Sequence, residues 1–293
     1  FFIFIVSNVG GSLTPLGDPP LFLGFLKGIS FFWTLQHIWP ETLFMVGSLL
    51  ALFYAMDTWA YRKEGVMRVD PTPDTRRLGF DGAVNFWLLG AVIALVLMSG
   101  LWKSSVEFNV WGTPVGLPGL LRDIGLVVIT LVSLRITPAG VHEDNQFSWG
   151  PMQEVAKLFA GIFLTIIPVI AMLRAGKEGP FGAVVSLVTN PDGSPNPAMY
   201  FWATGVLSSF LDNAPTYLVF FNTAGGDPQA LMTTYATTLA AISAGAVFMG
   251  ANSYIGNAPN LMVKAIAEDR GVKMPSFFGY MAWSGAILVP LFI

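Results

Sequence analysis

Six long apolar runs constrain the fold of this chain more than any other feature of its sequence. They contain few charged residues and are, in chain order, Pro40–Tyr61, Ala83–Leu101, Leu117–Ile136, Val155–Leu173, Leu231–Gly250 and Phe277–Ile293. A helix needs about 20 predominantly apolar residues to cross the hydrocarbon core of a bilayer. Only 11% of the residues are charged, whereas soluble domains carry roughly 25%. The sequence therefore predicts an all-α polytopic membrane protein that has the lipid bilayer as its surroundings.

Several classes of site are absent from the sequence. There is no cysteine, which excludes disulfides and thiolate metal sites, and two histidines are too few for a histidine-rich metal centre. No basic cluster suggests nucleic acid as a partner. The chain also has no phosphate-binding Gly-rich motif and no spacing typical of a catalytic triad. We therefore expect no cofactor and no enzymatic activity.

The first six residues, 1–6, are apolar and are followed directly by Ser7 and Asn8. They have no basic region before them and no cleavage site, so they do not form a signal peptide. We expect them to be the end of a helix whose beginning is missing, and hence the chain to lack its N-terminal part.

Two segments, 7–20 and 250–260, are rich in Gly, Pro and Asn and have apolar flanks on both sides. Glycine and proline weaken helices, and free backbone groups at membrane depth are tolerated only where protein or a water-filled cavity covers them. The alternative, a pair of ordinary interfacial loops, would not need apolar flanks. We therefore predict two broken transmembrane helices, and the residues expected to break them are Gly10, Gly11, Gly17, Pro19, Gly256 and Pro259.

The two breaks match each other when the second is shifted by 239 residues. The matched pairs are Thr14 with Ser253, Leu16 with Ile255, Gly17 with Gly256, Asp18 with Asn257, and Pro20 with Pro259. The distribution of Lys and Arg, which favours cytoplasmic loops, places the two broken helices in opposite directions. The sequence therefore predicts an inverted-topology repeat, in which paired broken helices build a site at mid-membrane.

A third interrupted segment, about 197–223, carries Asp212 and Pro215 in its middle, and each of its flanks is too short to span a bilayer. We predict a re-entrant hairpin. An acid at membrane depth is a functional candidate by default, and this is the preferred role of Asp212. The alternative is that Asp212 caps the returning half-helix, and the two roles are compatible. Asp18 has a similar alternative, since Gly-Asp-Pro-Pro also favours a turn.

These segments predict the domain organisation. Residues 1–70 would be the C-terminal part of the first repeat, and 71–79 a cytoplasmic linker. Residues 80–293 would be the second repeat, with the hairpin at about 197–223, the broken helix at about 231–268 and a last helix at 277–293.

The segments Asn8–Pro20, Ser208–Thr216 and Gly250–Asn260 resemble those of the ion transporter superfamily. Within it the chain is most similar to the citrate-transporter-like group, which includes NhaD-type sodium/proton antiporters and relatives of arsenite pumps. The resemblance implies two inverted halves, each with a hairpin and a broken helix. It also implies a scaffold domain, a moving transport domain, a homodimer and a location in the bacterial inner membrane. The first hairpin would lie upstream of Phe1.

We therefore expect a secondary transporter, with sodium/proton antiport by alternating access as the preferred function. Asp18 and Asp212 would exchange a proton for Na⁺, with Na⁺ placed at Asp18, Asp212 and Asn252. The residues expected to bind the ion or substrate are Asn8, Thr14, Asp18, Asp212, Asn213, Thr216, Asn252, Ser253 and Asn257. The alternative in the same class is sodium-coupled uptake of citrate or another dicarboxylate, and a more distant one is an ion channel.

Overall fold

The computed structural model describes residues 1–64 and 80–293, and these residues fall into two compact units. The first unit combines residues 1–64 with 155–293, and the second contains residues 80–154. The predicted linker at 71–79 lies outside the described residues. The predicted repeat boundary beside it stays a prediction, because a division by contacts does not test where one repeat ends.

The described residues are predominantly helical. In chain order the α-helices are α1 (Phe2–Ile5), α2 (Pro19–Leu26), α3 (Trp33–His37), α4 (Trp39–Glu64), α5 (Val84–Leu101), α6 (Leu117–Ile136), α7 (Ala139–Asp144), α8 (Gly150–Arg174), α9 (Gly182–Leu187), α10 (Pro197–Phe210), α11 (Asn213–Thr223), α12 (Pro228–Met232), α13 (Ala236–Met249), α14 (Ala258–Asp269) and α15 (Phe277–Phe292). Short 3₁₀ turns cover Val9–Gly11, Gly176–Glu178 and Gly250–Asn252. Two strands, β1 (Glu107–Val110) and β2 (Thr113–Gly116), form an antiparallel hairpin between α5 and α6.

Three helices among the described residues are long and apolar enough to cross a membrane, namely α4, α5 and α6. They coincide with the first three predicted runs. The fourth run lies inside α8, and the sixth forms the 16-residue α15. The helical content and these apolar helices agree with the predicted polytopic membrane protein.

The fifth predicted span, Leu231–Gly250, is wrong as a continuous helix. The helix α12 ends at Met232, and α13 begins only at Ala236. The backbone leaves the helical region at Thr233, where φ is −117° and ψ is −81°. The intervening residues include two threonines, whose branched side chains are stiff and favour helices less than the neighbouring Leu and Ala do. The length of an apolar run, on which the prediction was based, does not reveal such a local interruption of the helix.

The core of the first unit lies where α10, α11 and α13 pack together. Gly245 allows α13 to approach α10 closely, because a Cβ at this position would lie 2.5 Å from the carbonyl oxygen of Phe201. Small residues permit such approaches in membrane proteins, where van der Waals packing replaces the hydrophobic effect between helices. Tyr217, Phe221 and Ile242 fill the space between the three helices and are at most 1% exposed.

Candidate functional site

In the first helix break, the backbones of Gly11 and Gly17 lie in close contact; we call such a pair crossing glycines. A Cβ added to Gly11 would lie 2.5 Å from the carbonyl oxygen of Gly17, so neither position tolerates a side chain in this arrangement. Gly10 is also confined, since a Cβ there would lie 2.9 Å from a backbone oxygen of α1. The chain becomes helical again at Pro19, after Asp18 with φ −152° and ψ 140°. Proline suits this first helical position because the missing N–H would have no partner there.

The second break repeats this geometry. A Cβ added to Gly256 would lie 2.5 Å from the carbonyl oxygen of Gly250. Asn257 precedes α14 with φ −154° and ψ 137°, within a few degrees of the angles at Asp18, and Pro259 lies in the first turn. The matched sequence positions of the two breaks therefore have matched local structures.

The turn between α10 and α11 is as short as the sequence predicted. Asp212 is half-buried and caps α11, its Oδ1 accepting a hydrogen bond of 3.0 Å from the backbone N–H of Ala214. The hydroxyl of Thr216 donates to the backbone oxygen of Asp212 over 3.0 Å, and Pro215 lies in the same first turn. Asp212 thus does occupy the capping position that the sequence offered as an alternative to a functional acid.

The three turns meet at the carboxylate of Asp18, which is only 4% exposed. The side-chain amide of Asn213 donates to both of its oxygens, over 3.1 Å and 3.0 Å. The amide of Asn257 lies 3.4 Å from Oδ1. No lysine or arginine in the described part of the chain forms an ion pair with Asp18. A buried acid is therefore held here by neutral donors alone.

Three helix N-termini also converge on this carboxylate. Asp18 itself precedes α2, Asn213 is the first residue of α11, and Asn257 precedes α14. Each N-terminus carries a partial positive charge, worth about 0.3–1 kcal/mol to a nearby anion. The surroundings of Asp18 thus favour negative charge modestly, without a full positive charge.

Behind this carboxylate a network of three asparagine amides joins the two breaks. Asn8 donates to Oδ1 of Asn260 over 2.8 Å and to the backbone oxygen of Ile3 over 2.8 Å. Its own Oδ1 accepts from Asn257 over 3.2 Å. Asn8 was predicted as a site residue, whereas Asn260 was not. Asn260 could have been predicted from its spacing, because it follows Asn257 by three residues and so lies at the same N-terminal end of α14.

Not all predicted ligands are brought to Asp18. The amide of Asn252 donates to the hydroxyl of Ser209 over 2.9 Å, and the hydroxyl of Ser253 donates to the backbone oxygen of Ser209. The backbone oxygen of Thr14 accepts a hydrogen bond of 3.0 Å from the backbone N–H of Gly17. No hydrogen bond in the described residues joins these three predicted ligands to Asp18.

Two predicted ligands have an oxygen that is buried and unused. In the described part of the chain, Oδ1 of Asn213 and Oδ1 of Asn252 have no hydrogen-bond partner. A buried polar atom without a partner costs about 1–3 kcal/mol. Amide oxygens of this kind are ligands that hard cations prefer. Both atoms could therefore bind a cation such as Na⁺ without first breaking a bond within the protein.

Comparison with known proteins gives one family and several distant relatives. The family model described as "Putative citrate transport" matches residues 1–293. The chain is 26% identical over 166 residues to the Na⁺/H⁺ antiporter NhaB of Hahella chejuensis, covering 56% of this chain and 32% of that protein. It is also 26% identical over 240 residues to a transporter of Mycobacterium bovis and to one of Mycobacterium tuberculosis, covering 71% of this chain and 53% of each.

The chain thus spans between a third and about half of the length of the curated relatives it matches. No solved structure matches it significantly. The family and the relatives are transporters, which confirms both the resemblance to citrate-type and sodium/proton transporters and the prediction that the chain is not an enzyme.

Proposed function

Because the chain belongs to this citrate-transport family, we propose that it is part of a secondary active transporter, and that the transporter exchanges Na⁺ for protons. The observation that carries the proposal is the carboxylate of Asp18. It is buried, held by two neutral amides, and paired with no basic residue in the described part of the chain.

An isolated ionised carboxylate is costly to bury unless it is paired or coordinates a metal ion. Asp18 can meet this requirement in two ways, by taking up a proton or by binding a cation. If each state excludes the other, the same oxygen atoms carry H⁺ in one direction and Na⁺ in the other. This competition is the chemistry that a sodium/proton antiporter needs.

The neighbouring groups support a cation in the second state. Oδ1 of Asn213 is unused, and its amide already faces Asp18. Asp212 directly precedes Asn213, which contacts Asp18, and would add a second negative charge. Asn252 offers a further unused oxygen near the second break. We propose that these groups, with Asp18, form the path of Na⁺ through the site.

We further propose the architecture that such exchange requires. The matched glycine pairs and the matched backbone angles at Asp18 and Asn257 support an inverted repeat. The helices α10 and α11, of 14 and 11 residues, are each too short to span a bilayer, which supports a re-entrant hairpin. Alternating access would then move the hairpin and the broken helices against a scaffold, in a homodimer within the bacterial inner membrane.

A second function, sodium-coupled transport of citrate or a similar carboxylate, is favoured by two observations. One is the family description. The other is the convergence of three helix N-termini, which is a favourable place for an anion. A substrate carboxylate could use these N-termini only if a proton or a cation first neutralises Asp18.

The test uses the full-length protein in proteoliposomes that contain a pH-sensitive dye. We expect added Na⁺ to drive proton movement in the wild type and not in Asp18→Asn or Asp212→Asn. Asp192→Asn is the matched control, because Asp192 is an exposed acid that bonds only to nearby Ser194. Sodium-dependent uptake of labelled citrate without a proton signal would overturn antiport in favour of the second function.

A further inference from the structure

We propose that Asn260 is a positioning residue, which fixes the second break to the first through Asn8 and so sets the place of Asn257 beside Asp18. The proposal rests on the function proposed for Asp18. It assigns a role to a residue that does not itself contact the transported ion.

All hydrogen-bonding groups of the Asn260 side chain are used within the protein. Its amide donates to the backbone oxygens of Gly250 and Ser253, over 2.9 Å each. Its Oδ1 accepts from Asn8 over 2.8 Å. The side chain is completely buried, at 0% exposure. Asn260 therefore has no free atom for a substrate, and its bonds connect Gly250 and Ser253 of the second break to Asn8 in the first.

The first break shows that a break of this shape does not need an amide at the matched position. The crossing glycines and the angles of the capping residue are the same in both breaks. Yet three residues after the cap, the first break has Leu21 where the second has Asn260, and Leu21 is also buried, at 3% exposure. The amide of Asn260 is thus not required to form the break. What Asn260 adds is two bonds to carbonyl oxygens of its own break and, through its Oδ1, the link to Asn8 in the other break.

The link continues to the carboxylate. The amide of Asn257 has three acceptors within reach, namely the backbone oxygen of Ser7 at 3.1 Å, Oδ1 of Asn8 at 3.2 Å and Oδ1 of Asp18 at 3.4 Å. An amide has only two hydrogens, so these acceptors compete for it. The orientation of Asn8, which Asn260 holds, therefore decides how much of the Asn257 amide remains for Asp18.

The first test replaces Asn260 by the residue that the other break carries, Asn260→Leu. We expect the maximal rate of Na⁺-driven proton flux to fall by about tenfold or more, since an interaction between contacting partners is lost. The Na⁺ concentration for half-maximal rate should change much less, because no ligand is removed. Asn222→Ala is the matched control, as this amide bonds only within α11, to Leu218, and both values should stay unchanged. An unchanged maximal rate in Asn260→Leu would overturn the proposal.

The second test does not depend on transport and uses hydrogen–deuterium exchange of the full-length protein. Asn8→Ala leaves every residue of the second break in place, so it serves even if Asn260→Leu does not fold. We expect it to increase deuterium uptake in peptides covering 250–260, and the double variant to add little to Asn260→Leu alone. Increased uptake confined to residues near Asn8 would overturn the inference. If Asn8→Ala increased deuterium uptake at 250–260 but the wild type showed no Na⁺-driven proton flux, the inference about Asn260 would stand. Only the proposed antiport would then be overturned.

Discussion

Replacing Gly256 by alanine should destabilise the second break, because the added methyl group has no room there. The added Cβ would lie 2.5 Å from the carbonyl oxygen of Gly250 and 2.7 Å from that of Ser208. Both neighbours are backbone atoms, so relief requires two chain segments to separate. The Gly250 oxygen also accepts the amide of Asn260 over 2.9 Å, and that bond would be stretched as the segments move.

The expected loss of stability combines two contributions. Overpacking a well-packed site costs about 1–3 kcal/mol. Weakening a buried hydrogen bond costs about 1 kcal/mol more. We therefore expect Gly256→Ala to lower the free energy of unfolding by about 2–4 kcal/mol. Gly17→Ala should cost the overpacking contribution alone, about 1–3 kcal/mol, because its Cβ would meet the backbone of Gly11 and the residue matched to Asn260 is Leu21.

The assay is unfolding by denaturing detergent in mixed micelles, followed by circular dichroism. Gly47→Ala is the control, since this glycine lies inside α4 and a Cβ there would meet nothing within 4 Å. Alanine should stabilise that helix by about 0.5–1 kcal/mol. If Gly256→Ala were as stable and as active as Gly47→Ala, the crossing glycines would not hold the break and the geometry of the site would be refuted.

Five further variants test other parts of the first unit. Asp212→Asn should keep the cap of α11, because Asn caps as well as Asp, while Asp212→Ala should cost about 1 kcal/mol in the same unfolding assay; a loss of proton flux in Asp212→Asn would then report the charge alone. Ser284→Ala removes the hydroxyl that donates to the backbone oxygen of Asn252 over 2.6 Å, and the unpaired carbonyl should cost about 1–3 kcal/mol in detergent unfolding. Leu49→Ala, at 0% exposure, should cost about 2–5 kcal/mol. Leu50→Ala, at 49% exposure, should stay within about 0.5 kcal/mol, and equal losses would show that α4 does not pack through the face of Leu49.

The positions of the breaks and of the α10–α11 turn could be predicted from the sequence because their causes are local. Gly17 and Gly256 stand where no side chain fits, and Pro19 and Pro259 stand where a helix can begin but not continue. The tip at Asp212 follows from a good capping residue between two apolar segments. Such signals act within a few residues, so they remain visible without the fold.

The contacts between these segments could not be predicted, since they depend on how distant parts of the chain pack. Nothing near Asn260 in the sequence indicates that its partner is Asn8, 252 residues away. Ser209, which bonds Asn252 and Ser253, lies in the segment Ser208–Thr216 that resembles the superfamily, but nothing near it in the sequence indicates these two partners. The bonding partners of Asn252 and Ser253 therefore came only from the structure, and their role as ligands stays a prediction.

The two proposed functions make the same demand on Asp18, since both require its charge to change. The three helix N-termini that would attract a citrate carboxylate already face the carboxylate of Asp18. Two carboxylates at one site repel each other unless one is protonated or a cation lies between them. Antiport requires Asp18 to release its proton when Na⁺ arrives, and carboxylate transport requires Asp18 to be neutralised before the substrate arrives. Under either function Asp18 is the group whose charge must change. A variant that fixes its charge, Asp18→Asn, should therefore abolish coupling whichever substrate is carried, whereas retained coupling in this variant would exclude Asp18 as the coupling group under both functions.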